Sequence, residues 1–266
     1  MCVGKTMTME YHRPRSIEEA LTLLKQGQLL AGGTSLAPRI RALSSVVDLQ
    51  DLGLDALDIT DTKVIAGACI TLQSLAEIED PDLDVLARAS RLEAGWNLRN
   101  AATLAGTLIS ADGRSPLVTA LLALDTRIDL QPGSENIDLD ELLDRRDRQE
   151  MDRLMTAISI LRPRWLVYEQ VARSPADRPI VCAAAAEIVP EGGAAQLRVA
   201  LGGFGARPIL VATIDAQPGL EGTAEELGRL ASDSYSQADD VWASAEYRSE
   251  IASVLVRRLI REGAAP

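Results

Sequence analysis

The sequence predicts an α+β fold: two small α/β subdomains, residues 1–60 and 61–156, then a C-terminal domain, 157–266, with an antiparallel sheet and helices. Three observations predict it. Strand-like and helix-like segments alternate through residues 1–60, the pattern of a small parallel sheet. Between strand candidates at 63–66 and 127–130 lie apolar residues at helical spacing, Val85, Leu86, Ala89, Leu92 and Trp96, and a dense apolar run from Pro116 to Leu124. From Ala157 the chain changes to β-rich runs, at 158–161, 165–168, 180–188 and 197–201, broken by Arg-Pro, Ser-Pro and Glu-Gly-Gly.

In chain order, Met9 to Pro14 reads as extended, and Ser16 with Glu19 three residues on forms a capping-box pattern that starts a helix ending near Gly27. A strand at 28–31 follows, then a helix carrying Pro38, Ile40 and Leu43, then a strand at 45–49. Thr71 caps a helix at 72–79, which Pro81 stops. Asn97 to Ser110 reads as a small-residue loop between two apolar elements. Pro132-Gly133 is a turn, and 138–155 is a charged surface helix on which Glu141, Asp144 and Asp147 make a solvated face. Two helices end the chain, 223–232 and 244–261, the second with Tyr247, Ile251, Leu255 and Leu259 down one face.

Composition narrows the function. A net charge of -12 without clustered Lys and Arg opposes nucleic-acid binding, and it leaves any anionic ligand to be held by local donors and dipoles. Phe204 is the single Phe, so the cores must be built from Leu, Ala, Ile and Val. Cys2, Cys69 and Cys182 are scattered without CxxC spacing, and His12 is the one histidine, so neither a disulfide framework nor a metal site is expected on this chain. No stretch approaches the ~20 apolar residues needed to cross a bilayer, and a cytoplasmic location is expected.

Two stretches carry chemistry. Ala31, Gly32, Gly33, Thr34 and Ser35, flanked by Leu30 and Leu36, follow a strand and precede a helix start. The glycines permit positive φ and close backbone approach, and the helix start offers unpaired N–H donors. In the second stretch Thr103, Ala105, Gly106 and Thr107 are expected to bring backbone N–H groups to an anionic ligand. Two such cradles suit a ligand with a diphosphate at its middle, a dinucleotide.

With these positions in place, the sequence resembles the FAD-binding subunit or domain of the molybdenum hydroxylases, the group containing xanthine dehydrogenase and carbon monoxide dehydrogenase. The resemblance covers nearly the whole chain. It rests on AGGTS at 31–35, Ala66-Gly67-Ala68 before a threonine-led helix, Asn97-Leu98-Arg99-Asn100 with Thr103, LLALDTRI at 121–128, LGGFGARP at 201–208, and SAEYR at 244–248 followed by Val256-Arg257-Arg258. The resemblance implies that the adenosine diphosphate part of FAD lies along the cradle at 31–36 and that the loop at 103–107 completes the grip. It also implies partners: a molybdenum-cofactor subunit that oxidises the substrate, an iron–sulfur subunit that carries electrons to the flavin, and NAD or another acceptor that takes them away.

The sequence also departs from the family. The second loop usually reads Thr-x-Gly-Gly and then Asn or Asp, whereas here it is Thr103-Leu104-Ala105-Gly106-Thr107. Where the family places Pro-x-Ser-Asp, this chain has Gly113-Arg114-Ser115-Pro116, with no acid at the matching place, and Asp112 lies four residues early. Two readings therefore stand: an FAD-binding electron-transfer subunit, or a flavin-free relative that keeps the fold as a scaffolding or assembly partner. Arg99 and Asn100 either touch the ligand or pin the loop, Arg114 either meets a phosphate or is solvated, and Asp125, Gly202, Gly203 and Arg207 read as turn residues.

Overall fold

The computed structural model describes residues 9–216 and 221–264; Cys2 lies outside them. The first unit is a three-stranded parallel sheet in the order β1 (Glu10–His12), β3 (Ser45–Asp48), β2 (Gln28–Leu30). β3 is buried at every position, as a central strand covered on both faces must be. Helix α1 (Ile17–Leu23) starts at Ser16, whose hydroxyl accepts from the Glu19 N–H, while the Glu19 carboxylate accepts from the Arg15 N–H. Ala20, Val47, Leu49 and Leu154 form the core of this unit.

The second sheet has five strands in the order β4 (Leu57–Ile59), β5 (Lys63–Gly67), β8 (Leu154–Leu161), β6 (Arg127–Gln131), β7 (Glu135–Asp138), all antiparallel. It thus spans 57–161. The run 158–161, expected in the C-terminal sheet, pairs instead with 63–66 and 127–128. Hydrophobic patterning marks such a run as a strand but not its partner. β7 was not expected at all: Glu135, Asn136 and Asp138 hide a hairpin strand in which only Ile137 is buried. The expected long charged helix is the shorter α7 (Leu139–Asp147), capped by Asp138.

Helices α2 (Leu72–Ala76), α3 (Asp84–Glu93), α5 (Leu104–Ser110) and α6 (Pro116–Ala123) share one core with this sheet, and α4 (Trp96–Arg99), with no buried residue, lies against α2. Thr71, Thr103 and Ser115 cap α2, α5 and α6 through their hydroxyls. The expected loop at 97–110 is therefore mostly helical, with only Asn100 to Thr103 outside helix.

The C-terminal sheet is antiparallel in the order β12 (Ile209–Asp215), β11 (Gln196–Gly202), β10 (Val181–Ile188), β9 (Pro163–Val171). Both of its faces are covered. Cys182, Ala184 and Ala186 pack toward the second subdomain, while Val181, Ala183 and Ala185 pack against α8 (Glu221–Ser234) and α9 (Ala245–Gly263). Side chains alternate along a strand, so the run of small residues lets two layers approach one sheet closely. Arg248, fully buried in α9, donates to the carbonyls of Ile180, Ala238 and Ala243 and pairs with Asp240.

Candidate functional site

The first cradle is a bend between β2 and a short 3-10 helix, Ala37–Ala42, that replaces the expected helix through Leu43. Gly33 has φ of 72°, a left-handed conformation that a side chain disfavours. Its carbonyl accepts from the N–H groups of Leu36 and Ala37, which closes the turn. Among the described residues, the N–H groups of Gly32, Gly33, Thr34 and Ser35 have no acceptor. Such a run of free donors is the concave nest that suits phosphate oxygens. Leu36 is buried and anchors the turn. At the end of β3 beside it, Asp48, 1% exposed, accepts from the Tyr11 hydroxyl and the Gln50 N–H and holds the strand end rigid.

Gly32 serves a different purpose. A Cβ there would sit 1.8 Å from the Ala101 carbonyl oxygen, so its missing side chain lets the two predicted cradles press together.

The second cradle differs from expectation in its donors. Leu104 N–H is bonded to Ile70 O, Ala105 N–H to Ala68 O, Gly106 N–H to Thr103 Oγ1 and Thr107 N–H to Thr103 O. These pairs, with Leu72 N–H on Ala102 O and a bridge between Thr71 and Thr103, zip the segment before α2 onto the segment before α5. Leu104, Ala105 and Thr107 are buried. The stretch 103–107 builds a wall of the site, and the N–H groups of Leu104 to Thr107 are already spent.

Between the cradle and that wall runs a cleft of about 160 Å³, lined by Thr34, Glu93, Leu98, Thr107, Ser110 and Arg178, among others. A larger groove, about 680 Å³, lies along α2 and α3, but Glu77, Glu79, Asp80 and Asp84 outnumber Arg91 on its walls. The charge of an anionic dinucleotide favours the smaller cleft, which Thr34 of the cradle and Arg178 both line and whose volume takes part of such a ligand.

Glu93 is the residue that sequence reading missed. It closes α3, and its Oε2 accepts from the Ser115 hydroxyl at 2.7 Å and the Leu117 N–H at 3.1 Å. A carboxylate thus reaches the 113–116 segment from elsewhere in the chain. Burial pushes the Glu93 carboxyl above the ordinary glutamate range, against the pull of Ser115, the Leu117 N–H and Arg178. A signal was present: Glu93 follows Leu86, Ala89 and Ser90 by seven, four and three residues, the spacing of the buried face of α3.

Arg99 donates to Gln73 Oε1 and to the carbonyls of Arg91 and Ala94, and Asn100 to Trp96 O, so both pin the turn. Arg114 donates to the carbonyls of Pro179 and Arg178 and stacks 4.6 Å from the Trp242 ring centre. Asp112 holds Arg178 with both oxygens. Asp125 turns the chain at φ 47°. Gly202 and Gly203 pack against Gly113, Thr119 and Ile180. Arg207 lies beyond a turn role and binds Asp140, Asp144 and Asp147, so the α7 face expected to be solvated is docked in part on the C-terminal domain. Cys69 and Cys182 are thiols whose pKa burial raises to about 11, unreactive at neutral pH. Among the described residues, no helix is long and apolar enough to cross a membrane.

A parallel three-stranded unit, a helix-covered antiparallel sheet and a turn of free N–H donors at the edge of a cleft make an architecture suited to an anionic ligand. The chain matches the family model described as FAD binding domain in molybdopterin dehydrogenase over residues 7–165, and that of the CO dehydrogenase flavoprotein C-terminal domain over 166–263. It belongs to this family, the FAD-binding medium subunits of the molybdenum hydroxylases. It is 29% identical to the nicotine 6-hydroxylase medium subunit of Paenarthrobacter nicotinovorans, covering 98% of this chain and 99% of that one. To the carbon monoxide dehydrogenase medium chain of Afipia carboxidovorans it is 27% identical, with 97% of each covered. Among solved structures, CO dehydrogenase from Oligotropha carboxidovorans aligns with a TM-score of 0.77 at 25% identity, covering 96% of this chain and 97% of that one. Quinoline 2-oxidoreductase from Pseudomonas putida 86, at 22% identity and a TM-score of 0.76 over 98% of each chain, shares the fold. The cofactor that goes with this family is FAD.

Proposed function

We propose that this chain is the FAD-binding electron-transfer subunit of a molybdenum-cofactor hydroxylase or dehydrogenase. Its partners are an iron–sulfur subunit and a molybdenum-cofactor subunit. When bound, FAD would take up electrons from the iron–sulfur clusters and release them to NAD or another acceptor. The observation that carries this reading is the run of free N–H groups at Gly32 to Ser35 on the edge of the cleft, in a chain of this family.

The protein's own work is binding and orientation. The nest at Gly32 to Ser35 would hold the diphosphate, with Leu30, Ala31 and Leu36 fixing its frame. Thr103, Ala105, Gly106 and Thr107 would form the facing wall, Thr107 being the member that reaches the cleft. With a net charge of -12 on the chain, these local dipoles and Arg178 must supply the attraction.

A second reading, a flavin-free scaffolding or assembly partner, is favoured by the occupied N–H groups of Leu104 to Thr107. Purification from the native source decides between them. The first reading expects a yellow complex containing a small iron–sulfur protein and a large molybdenum protein, whereas the second expects the same partners without flavin on this chain.

A further inference from the structure

We propose that Glu93 is a cofactor-binding residue whose Oε1 accepts a hydrogen bond from a hydroxyl or N–H of the riboflavin half of FAD. The inference rests on the reading that the cleft holds FAD. Glu93 lines the cleft, and its two oxygens have different fates. Oε2 is committed to Ser115 and Leu117, which fixes the carboxylate in place. Oε1 has no hydrogen-bond partner among the described residues, nor is it among the buried polar atoms left without one, so it opens onto the cleft.

A fixed carboxylate oxygen at a cleft wall selects a donor. The diphosphate carries only acceptors and negative charge, so it is repelled by Glu93 and belongs at the Gly32 to Ser35 nest. The donors that the cofactor can offer are the ribityl hydroxyls and the ring N–H on one side and the adenosine groups on the other. The proposal assigns Glu93 to the riboflavin side, because the ribityl chain and ring offer more hydroxyl and N–H donor groups than the adenosine does, while Thr34 of the nest lines the same cleft. Arg178, on the same wall and held by Asp112, offsets the charge. Position 116, where the family resemblance implies an acid, holds Pro116, and the carboxylate that reaches this segment comes from α3.

Glu93→Gln tests this with the fold preserved. To keep accepting from the Ser115 hydroxyl and the Leu117 N–H, the Gln must place its carbonyl oxygen there, which turns its NH2 toward the cleft: a ring N–H then meets a donor, and a ribityl hydroxyl loses its bond to a charged acceptor. Wild-type and E93Q chains are titrated with FAD, riboflavin and ADP, and both are melted without ligand. Expected is a loss of about tenfold or more for FAD and for riboflavin, equivalent to ~1.4 kcal/mol. ADP affinity and the melting temperature are expected to stay unchanged. Equal FAD affinities in the two chains would overturn the role of Glu93 while leaving the FAD reading intact, and so would an equal loss of ADP or a fall in melting temperature that tracks the lost affinity. A wild-type chain that binds no FAD would overturn both.

Discussion

Gly32 lies against the backbone of Ala101 so closely that a Cβ would stand 1.8 Å from the Ala101 carbonyl oxygen. The contact joins the first subdomain to the turn before α5. The two glycines of the AGGTS stretch therefore have separable jobs, Gly32 in packing and Gly33 in turn geometry.

Gly32→Val is expected to destabilise the protein, because a backbone carbonyl cannot move aside cheaply. Gly33→Val strains φ by ~1–2 kcal/mol and crowds the Leu30 side chain, 3.1 Å from the new Cβ. It should lower FAD affinity at least tenfold with a smaller loss of stability. Melting and flavin titration on the two variants side by side check the separation. Equal stability losses with unchanged FAD affinity for Gly33→Val would show that the nest is not the phosphate site.

Residues 105 and 107 should also separate. The family resemblance alone implies that Ala105→Gly with Thr107→Asn strengthens FAD binding. In the structure Ala105 is buried in α5 with its N–H on Ala68 O, so Ala105→Gly frees no donor and costs about 1 kcal/mol of helix stability. Thr107 lines the cleft, so Thr107→Asn alone is expected to bring a new donor to the ligand and raise affinity. Fluorescence quenching on the single variants checks this, and a gain carried by Ala105→Gly instead would count against it.

Asp80 gives the protein a defined acid sensitivity. Its carboxylate accepts from Arg162 at 2.7 and 3.1 Å, and that hydrogen bonding holds its pKa below the ordinary aspartate value of 3.8. A depressed folded pKa contributes stability above the unfolded pKa and loses it as pH falls through the folded value. Asp80→Asn should therefore lower stability near neutral pH and flatten the decline below about pH 4. Denaturation midpoints of both proteins across that range test the sign.

Arg207→Ala should loosen the docking of α7 on the C-terminal domain. Arg207 bonds Asp140 O and meets three carboxylates, but the partners are partly exposed, so the loss is about 1 kcal/mol after allowing for solvent screening. The wild-type advantage should shrink as salt rises. A difference in melting temperature that is indifferent to salt would point to packing by the Arg stem instead.

Local signals in the sequence were legible, and pairings less so. Ser16, Thr71 and Ser244 each cap the helix they were read to start, because a hydroxyl accepting a nearby N–H is a short-range event. The run 158–161 was visible as a strand, yet its partners lie at 63–66 and 127–128, and nothing in the run itself names them. β12, after Pro208, was lost because its exposed and half-buried residues lack clean alternation. At the site, Gly33 could be read from its residue type, whereas the occupied donors of Leu104 to Thr107 depend on the 68–72 segment zipped against them. Glu93 was overlooked because its role arises only where α3 meets Ser115 and Leu117.

The central claim is that this chain holds FAD through the free nest at Gly32 to Ser35. Titration of the purified chain with FAD, followed by flavin fluorescence and absorbance, tests it most directly. The account predicts saturable quenching with one FAD per chain, weakened at least tenfold in Gly33→Val. A purified wild-type chain that carries no flavin and quenches none on titration would contradict it.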